Sequence, residues 1–115
     1  MTAQLKPDTW TPICTTNDLV PDSGVAAKID NQQIALFYLP DEHRVYALAN
    51  KDPFSNANVI ARGLTGDLQG KTVVASPLYK QHFSLEDGQC LEDDSVRLDT
   101  WPARIEGDHV YISIQ

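Results

Sequence analysis

The C-terminal stretch "ARIEGDHVYISI" (residues 103–114) constrains the fold of this chain more than any other segment. Ala103 and Ile105 share one face of an extended chain, Gly107 and Asp108 interrupt it, and Val110, Ile112 and Ile114 resume the alternation. A period of two belongs to a strand with one buried face. A Gly-containing pair between two such runs predicts a tight hairpin, because Gly supplies the positive φ that two-residue turns require. The pattern recurs upstream. Trp10–Cys14 reads as a first strand closed by "NDLVPDSG", and Val25, Ala27 and Ile29 alternate with Ala26, Lys28 and Asp30. "DNQ" then turns the chain into "QIALFYL", an apolar run short enough to be a strand covered on both faces. "PDEH" separates it from "RVYALAN", its hairpin partner, and "KTVVAS" and "HFSLED" form another pair. Only "SNANVIARG" resembles a helical turn, too short to stand as a helix. "GLTGDLQG" reads as a flexible loop; it lacks the glycine spacing of a phosphate cradle, and no helix pattern follows it. The expectation is one all-β domain over residues 1–115, an antiparallel β-sandwich or barrel, with residues 1–8 a loosely ordered N-terminus.

A length of 115 residues with 42% hydrophobic side chains supports one packed core and argues against disorder. The net charge of −7 disfavours nucleic acid, whose phosphates require Lys and Arg, and disfavours anionic lipid. A basic protein partner suits that charge better. No apolar region of signal-peptide type is visible, and no run approaches the ~20 residues that span a bilayer. A cytoplasmic location is therefore expected, with Cys14 and Cys90 as free thiols acting as small buried hydrophobes.

Chemistry-bearing motifs are scarce. His43 lies in a polar turn and His109 follows the Gly-Asp pair, so both read as surface residues. His82 suggests a metal ligand, yet no HxH, HExxH or Cys/His cluster accompanies it. Ser76 lacks the G-x-S-x-G elbow of a hydrolase. Glu92, Asp93 and Asp94 read as a solvated acidic face without EF-hand spacing.

The order of the remaining pieces is informative: a strand ending in "NKDPF", a glycine-containing loop, then "SPLYKQHFSLEDG". This order resembles the Rieske [2Fe–2S] domain, whose cluster is held by a C-x-H loop and a second C-P-x-H-G-x-x-F loop with a Gly five residues beyond the Phe. Aligned on that pattern, Asp52 and Phe54 replace the first Cys and His, and Ser76 and Tyr79 replace the second pair. Pro77, Phe83 and Gly88 keep the scaffold spacing, while Lys80 stands where Gly is usual. A Rieske cluster needs two thiolates and two imidazoles. Phe54 has no lone pair for a metal, Ser76 and Tyr79 would have to ionise far above neutral pH, and one carboxylate cannot hold a cluster. The resemblance therefore implies a Rieske-like fold without its [2Fe–2S] ligands and with no cofactor in this chain.

A narrower resemblance joins "NKDPFS", "VIARGLTGD", "VASPLYKQHFSLEDG" and "WPARIEGDHVYI". Together these are similar to the small subunit of assimilatory NAD(P)H-dependent nitrite reductase. That resemblance implies a large-subunit partner bearing FAD, an iron–sulfur cluster and sirohaem, which uses NAD(P)H to reduce nitrite to ammonium. A non-catalytic accessory role follows for this chain. Its loop tips supply the candidate contacts: Asp52, Phe54, Ser55, Leu78, Tyr79, Lys80 and His82. A compatible structural role has Asp52, Ser76 and Tyr79 hydrogen-bonding across the vacated space while Phe54 fills it. Two other readings remain: a Rieske-type ferredoxin electron carrier, and a mononuclear metal site built from Asp52, Tyr79 and His82.

Overall fold

A computed structural model describes residues 10–113. The expectation for residues 1–8, and the last apolar position of the C-terminal alternation, Ile114, lie outside the described residues. The strands are β1 (Trp10–Thr15), β2 (Ser23–Ile29), β3 (Gln32–Leu39), β4 (Arg44–Ala49), β5 (Leu64–Leu68), β6 (Lys71–Ala75), β7 (His82–Ser84), β8 (Thr100–Trp101), β9 (Ala103–Glu106) and β10 (His109–Ser113). They form antiparallel sheets in the orders β1-β10-β9, β2-β3-β4-β8 and β5-β6-β7. The expected all-β class is the observed one. Among the described residues the helical segments are 3₁₀ turns, one of them Ile60–Arg62 within the predicted helical turn. No described helix is long and apolar enough to cross a membrane.

The apolar run in β3 is covered on both faces, and this organises the molecule. Ala35, Phe37 and Leu39 join Tyr46 and Leu48 of β4 in one core, completed by Ile60, Ala61, Val74, Phe83, Leu85, Cys90 and Leu98. Ile34 and Leu36 join Val45 and Ala47 in a second core against Val110 and Ile112 of β10. The β3–β4 hairpin is thus a shared wall. Each large side chain it buries contributes ~1.5–3 kcal/mol, so both cores are anchored to one rigid element. The first core carries the loop from Asn50 to Val59 and the loop between β6 and β7.

One reading needs correction. "GLTGDLQG" is not a loop: Leu64–Leu68 pairs with Lys71–Ala75 as a hairpin. Its two turn residues, Gln69 (φ 54°) and Gly70 (φ 77°), are both left-handed, the requirement of a type I′ turn. β5 is an edge strand that buries little, so it carries no apolar alternation for a sequence pattern to find. Glu92 and Asp94 are exposed, as expected of a solvated acidic face, and Glu92 in addition binds His82. The Gly107–Asp108 hairpin forms in the expected register, His109 opposite Glu106. Cys14 and Cys90 are free thiols, with Cys90 buried and Cys14 half-buried; burial pushes both thiols upward, keeping them protonated near neutrality.

Candidate functional site

The segments "DPFSNA", "SPLYKQ" and "SLEDGQ" fold into the same six-residue turn. In each, the backbone N–H of the first residue donates to the carbonyl of the sixth: Asp52 to Ala57 at 2.8 Å, Ser76 to Gln81 at 2.8 Å, Ser84 to Gln89 at 2.9 Å. The fifth residue donates back to the first carbonyl: Asn56 to Asp52, Lys80 to Ser76 and Gly88 to Ser84. The side chain of the first residue accepts from the N–H of the third, namely Phe54, Leu78 and Glu86. The geometry requires a left-handed fifth residue, and Asn56 (φ 66°), Lys80 (φ 67°) and Gly88 (φ 77°) comply. A non-glycine residue pays ~1–2 kcal/mol for that conformation, and Lys80 bears it where the Rieske pattern has Gly.

The first two turns lie side by side because their leading side chains meet. The Ser76 hydroxyl donates to Asp52 Oδ2 at 2.5 Å, and the Phe54 N–H donates to Asp52 Oδ1 at 2.8 Å. Both side chains are inside the protein, with Asp52 at 0% and Ser76 at 1% exposure. Burying a carboxylate is costly unless its lone pairs are satisfied, and this one receives donors on both oxygens. Asn50, 2% exposed, fixes the base of the first loop by accepting from the Ala61 N–H at 2.7 Å and donating to Gln33 Oε1 at 3.1 Å.

The residues at the two histidine positions behave oppositely. Phe54 packs its ring against buried Phe83, centroids 6.3 Å apart, while leaving 37% of its surface exposed. Tyr79 is 59% exposed and takes no part in the Asp52–Ser76 bond. Leu78 and Lys80 are exposed beside it and Ser55 is half-buried, its hydroxyl accepting from the Ala57 N–H. His82 is half-buried at the start of β7. Its Nδ1 lies 2.6 Å from Glu92 Oε2, and its backbone N–H donates to Glu92 Oε1 at 2.7 Å.

Glu92 thus clasps His82 at ring and backbone. Burial raises the Glu92 carboxyl, but the two His82 hydrogen bonds and the ring charge outweigh it and hold the group below its ordinary value of 4.5. A depressed carboxyl stabilises the fold fully above its unfolded value and loses that contribution as pH falls through its folded value. Acidification from about pH 6 to about pH 3 is therefore expected to destabilise the wild type more than Glu92→Gln, measured by urea unfolding. Equal losses in the two proteins would contradict the clasp.

As a donor set, these positions do not fit a [2Fe–2S] cluster. Asp52 and Ser76 satisfy each other, Phe54 has no lone pair, and Tyr79 is an exposed phenol. Nor do Asp52, Tyr79 and His82 form an open mononuclear site, because Asp52 is engaged with Ser76 and Phe54, and His82 with Glu92. Among the described residues, no group of three or more His, Cys, Asp or Glu side chains converges to hold a metal ion. The sequence reading assigned no role to Asn50, to Glu92 as partner of His82, or to exposed Leu64. Asn50 stood inside the quoted "NKDPF", whereas Glu92 becomes significant only once the sheet brings it to His82.

Paired loops on a two-core β scaffold define a Rieske-like domain, and the sequence model described as "Rieske-like [2Fe-2S] domain" matches residues 9–113. The Nitrite reductase (NADH) small subunit of Escherichia coli K12 is 40% identical over 97 residues, covering 84% of this chain and 90% of that protein. The solution structure of E. coli NirD superposes with a TM-score of 0.81 at 39% identity, covering 90% of this chain and 94% of that one. A third relative, the Nitrite reductase [NAD(P)H] large subunit of Klebsiella oxytoca, is 40% identical over 92% of this chain, which corresponds to 11% of that longer protein. The chain belongs to the nitrite reductase small-subunit family, a branch of the Rieske-like domains.

Proposed function

We propose that this chain is a non-catalytic accessory subunit of a cytoplasmic NAD(P)H-dependent nitrite reductase, supporting the reduction of nitrite to ammonium in nitrate and nitrite assimilation. The observation that carries the reading is the buried Asp52–Ser76 hydrogen bond, at the positions where a Rieske domain presents its two thiolates. A loop pair closed by a carboxylate and a hydroxyl has no redox couple, so the chain contributes by association and not by passing electrons. FAD, an iron–sulfur cluster and sirohaem belong in this reading to the large subunit, which does the chemistry. The Klebsiella relative supports the pairing, because a region like this chain there forms part of a polypeptide named as a large subunit.

The test is reconstitution. The chain and the large subunit from the same genome, purified separately, are expected to co-elute as one complex. Nitrite-dependent NAD(P)H oxidation by the mixture should exceed that of the large subunit alone. Separate elution with unchanged activity would overturn the proposal.

A further inference from the structure

Among the described residues, the large apolar side chains left exposed are Val20, Phe54, Leu64, Leu78 and Tyr79. All but Val20 gather at the loop end of the first core. Leu64, 80% exposed, lies opposite Ala75, the residue before Ser76, and Ala75 lies opposite His82 in β7. Leu78 and Tyr79, 51% and 59% exposed, occupy the turn that Ser76 begins. The Asp52–Ser76 bond brings the neighbouring turn alongside, with Phe54 on it. Scattered surface hydrophobes need no explanation, but apolar side chains gathered at one end mark an interaction surface.

Charge separates this end from the rest of the molecule. The chain carries −7 overall. Yet on the two loops themselves, residues 50–63 and 76–82, the exposed charged side chains are Lys51, Arg62 and Lys80, and the one carboxylate, Asp52, is fully buried; the nearest exposed carboxylates, Glu92 paired with His82 and Asp67 beside Leu64, lie on the flank. The two loop tips thus present apolar side chains with a cationic rim on the side of Lys51 and Lys80, and carboxylates only on the flank by β5 and β7. The turns beneath them are closed by hydrogen bonds at both ends, so the tip is preorganised and loses little entropy on docking.

We propose that this tip docks into an apolar depression rimmed by carboxylates on the nitrite reductase large subunit. Leu78 and Tyr79 form the centre, Phe54 and Leu64 the flanks, and Lys51 and Lys80 face the acidic rim. This rests on the accessory-subunit reading and adds the surface and its chemistry. A second copy of this chain is the wrong occupant: in a two-fold contact the patch meets itself, so the exposed cations of one copy face a patch of the same sign and not an acidic one. The cationic rim selects an acidic partner surface.

The test titrates the purified large subunit with wild type, Tyr79→Ala, Leu78→Asp, Lys80→Glu and, as a control in the β9–β10 hairpin, Glu106→Lys. Tyr79→Ala and Leu78→Asp are expected to weaken binding by ~10-fold or more, as truncation or charging of a central anchor does. Lys80→Glu should weaken it several-fold and flatten its salt dependence, while Glu106→Lys binds as wild type. Circular dichroism should show the same fold in every variant, because each altered side chain is exposed. Wild-type binding with unchanged Tyr79→Ala and Leu78→Asp affinities would overturn the docking surface and leave the accessory reading standing. No binding by wild type would overturn that reading itself. Wild-type self-association abolished by Leu78→Asp, with large-subunit affinity unaffected, would assign the patch to a second copy and overturn the proposal.

Discussion

Gly88→Ala should destabilise the fold by ~3–5 kcal/mol and leave little folded protein at physiological temperature. Gly88 occupies the left-handed fifth position of its turn at φ 77°, and an added Cβ would lie 2.1 Å from the Leu98 carbonyl oxygen and 3.1 Å from Thr100 Cγ2. The obstructing oxygen is backbone: Leu98 donates its N–H to the Gly88 carbonyl at 2.9 Å, so the two segments cannot separate without losing that bond. The equivalent positions, Asn56 and Lys80, are exposed, and a side chain is accommodated there at the conformational cost alone. Lys80→Gly should therefore shift stability by no more than ~1 kcal/mol, relief of the left-handed strain being offset by the entropy of the added glycine. Chemical denaturation of both variants checks the contrast. Similar midpoints for Gly88→Ala and Lys80→Gly would show that the buried contact with Leu98 is not the constraint.

Asp52→Ala is expected to destabilise the fold by ~2–4 kcal/mol, since it orphans the buried Ser76 hydroxyl and the Phe54 N–H together and leaves a void between the loops. Asp52→Asn should recover part of the loss by retaining one carbonyl acceptor. The pair acts as a unit, so Asp52→Ala/Ser76→Ala should be no worse than Asp52→Ala alone, giving a coupling energy of ~1 kcal/mol or more. Hydrogen exchange should quicken at Phe54, Asn56 and Lys80, whose amides donate within the two turns. Additive losses, or protection retained at those amides, would mean that the loops are held by something other than this bond.

Much of this architecture is legible in the chain because it follows from periodicity. The doubly buried strand in "QIALFYL" and the Gly107–Asp108 hairpin rest on alternation and turn chemistry, and both appear as expected. The positions of Asp52, Phe54, Ser76 and Tyr79 were accessible through spacing, but what those side chains do was not. Asp52 and Ser76 are 24 residues apart, and only the folded sheets show that they bond while Phe54 rests on Phe83 and Tyr79 is exposed. Edge strand β5 escaped because it buries too little to be patterned, and its turn pair Gln69–Gly70 is the signal that could have found it. The threefold turn hides for a related reason. Its shared features are backbone hydrogen bonds, a short oxygen-bearing first side chain and a left-handed fifth residue, which Asn, Lys and Gly each supply, so only the leading Asp or Ser leaves a trace in the sequence.

The central proposal is that a Rieske-like scaffold, closed by a hydrogen bond where the fold elsewhere holds iron, serves a nitrite-reducing partner without a redox centre of its own. The most direct measurement purifies the chain anaerobically from iron-replete cells, determines its iron and acid-labile sulfide, and adds that same preparation to the large subunit. The expected result is a folded, colourless protein with negligible iron that nonetheless binds the large subunit and raises its nitrite-dependent NAD(P)H oxidation. Stoichiometric iron and sulfide with a visible chromophore, or stimulation that disappears when bound iron is removed from this chain, would contradict it.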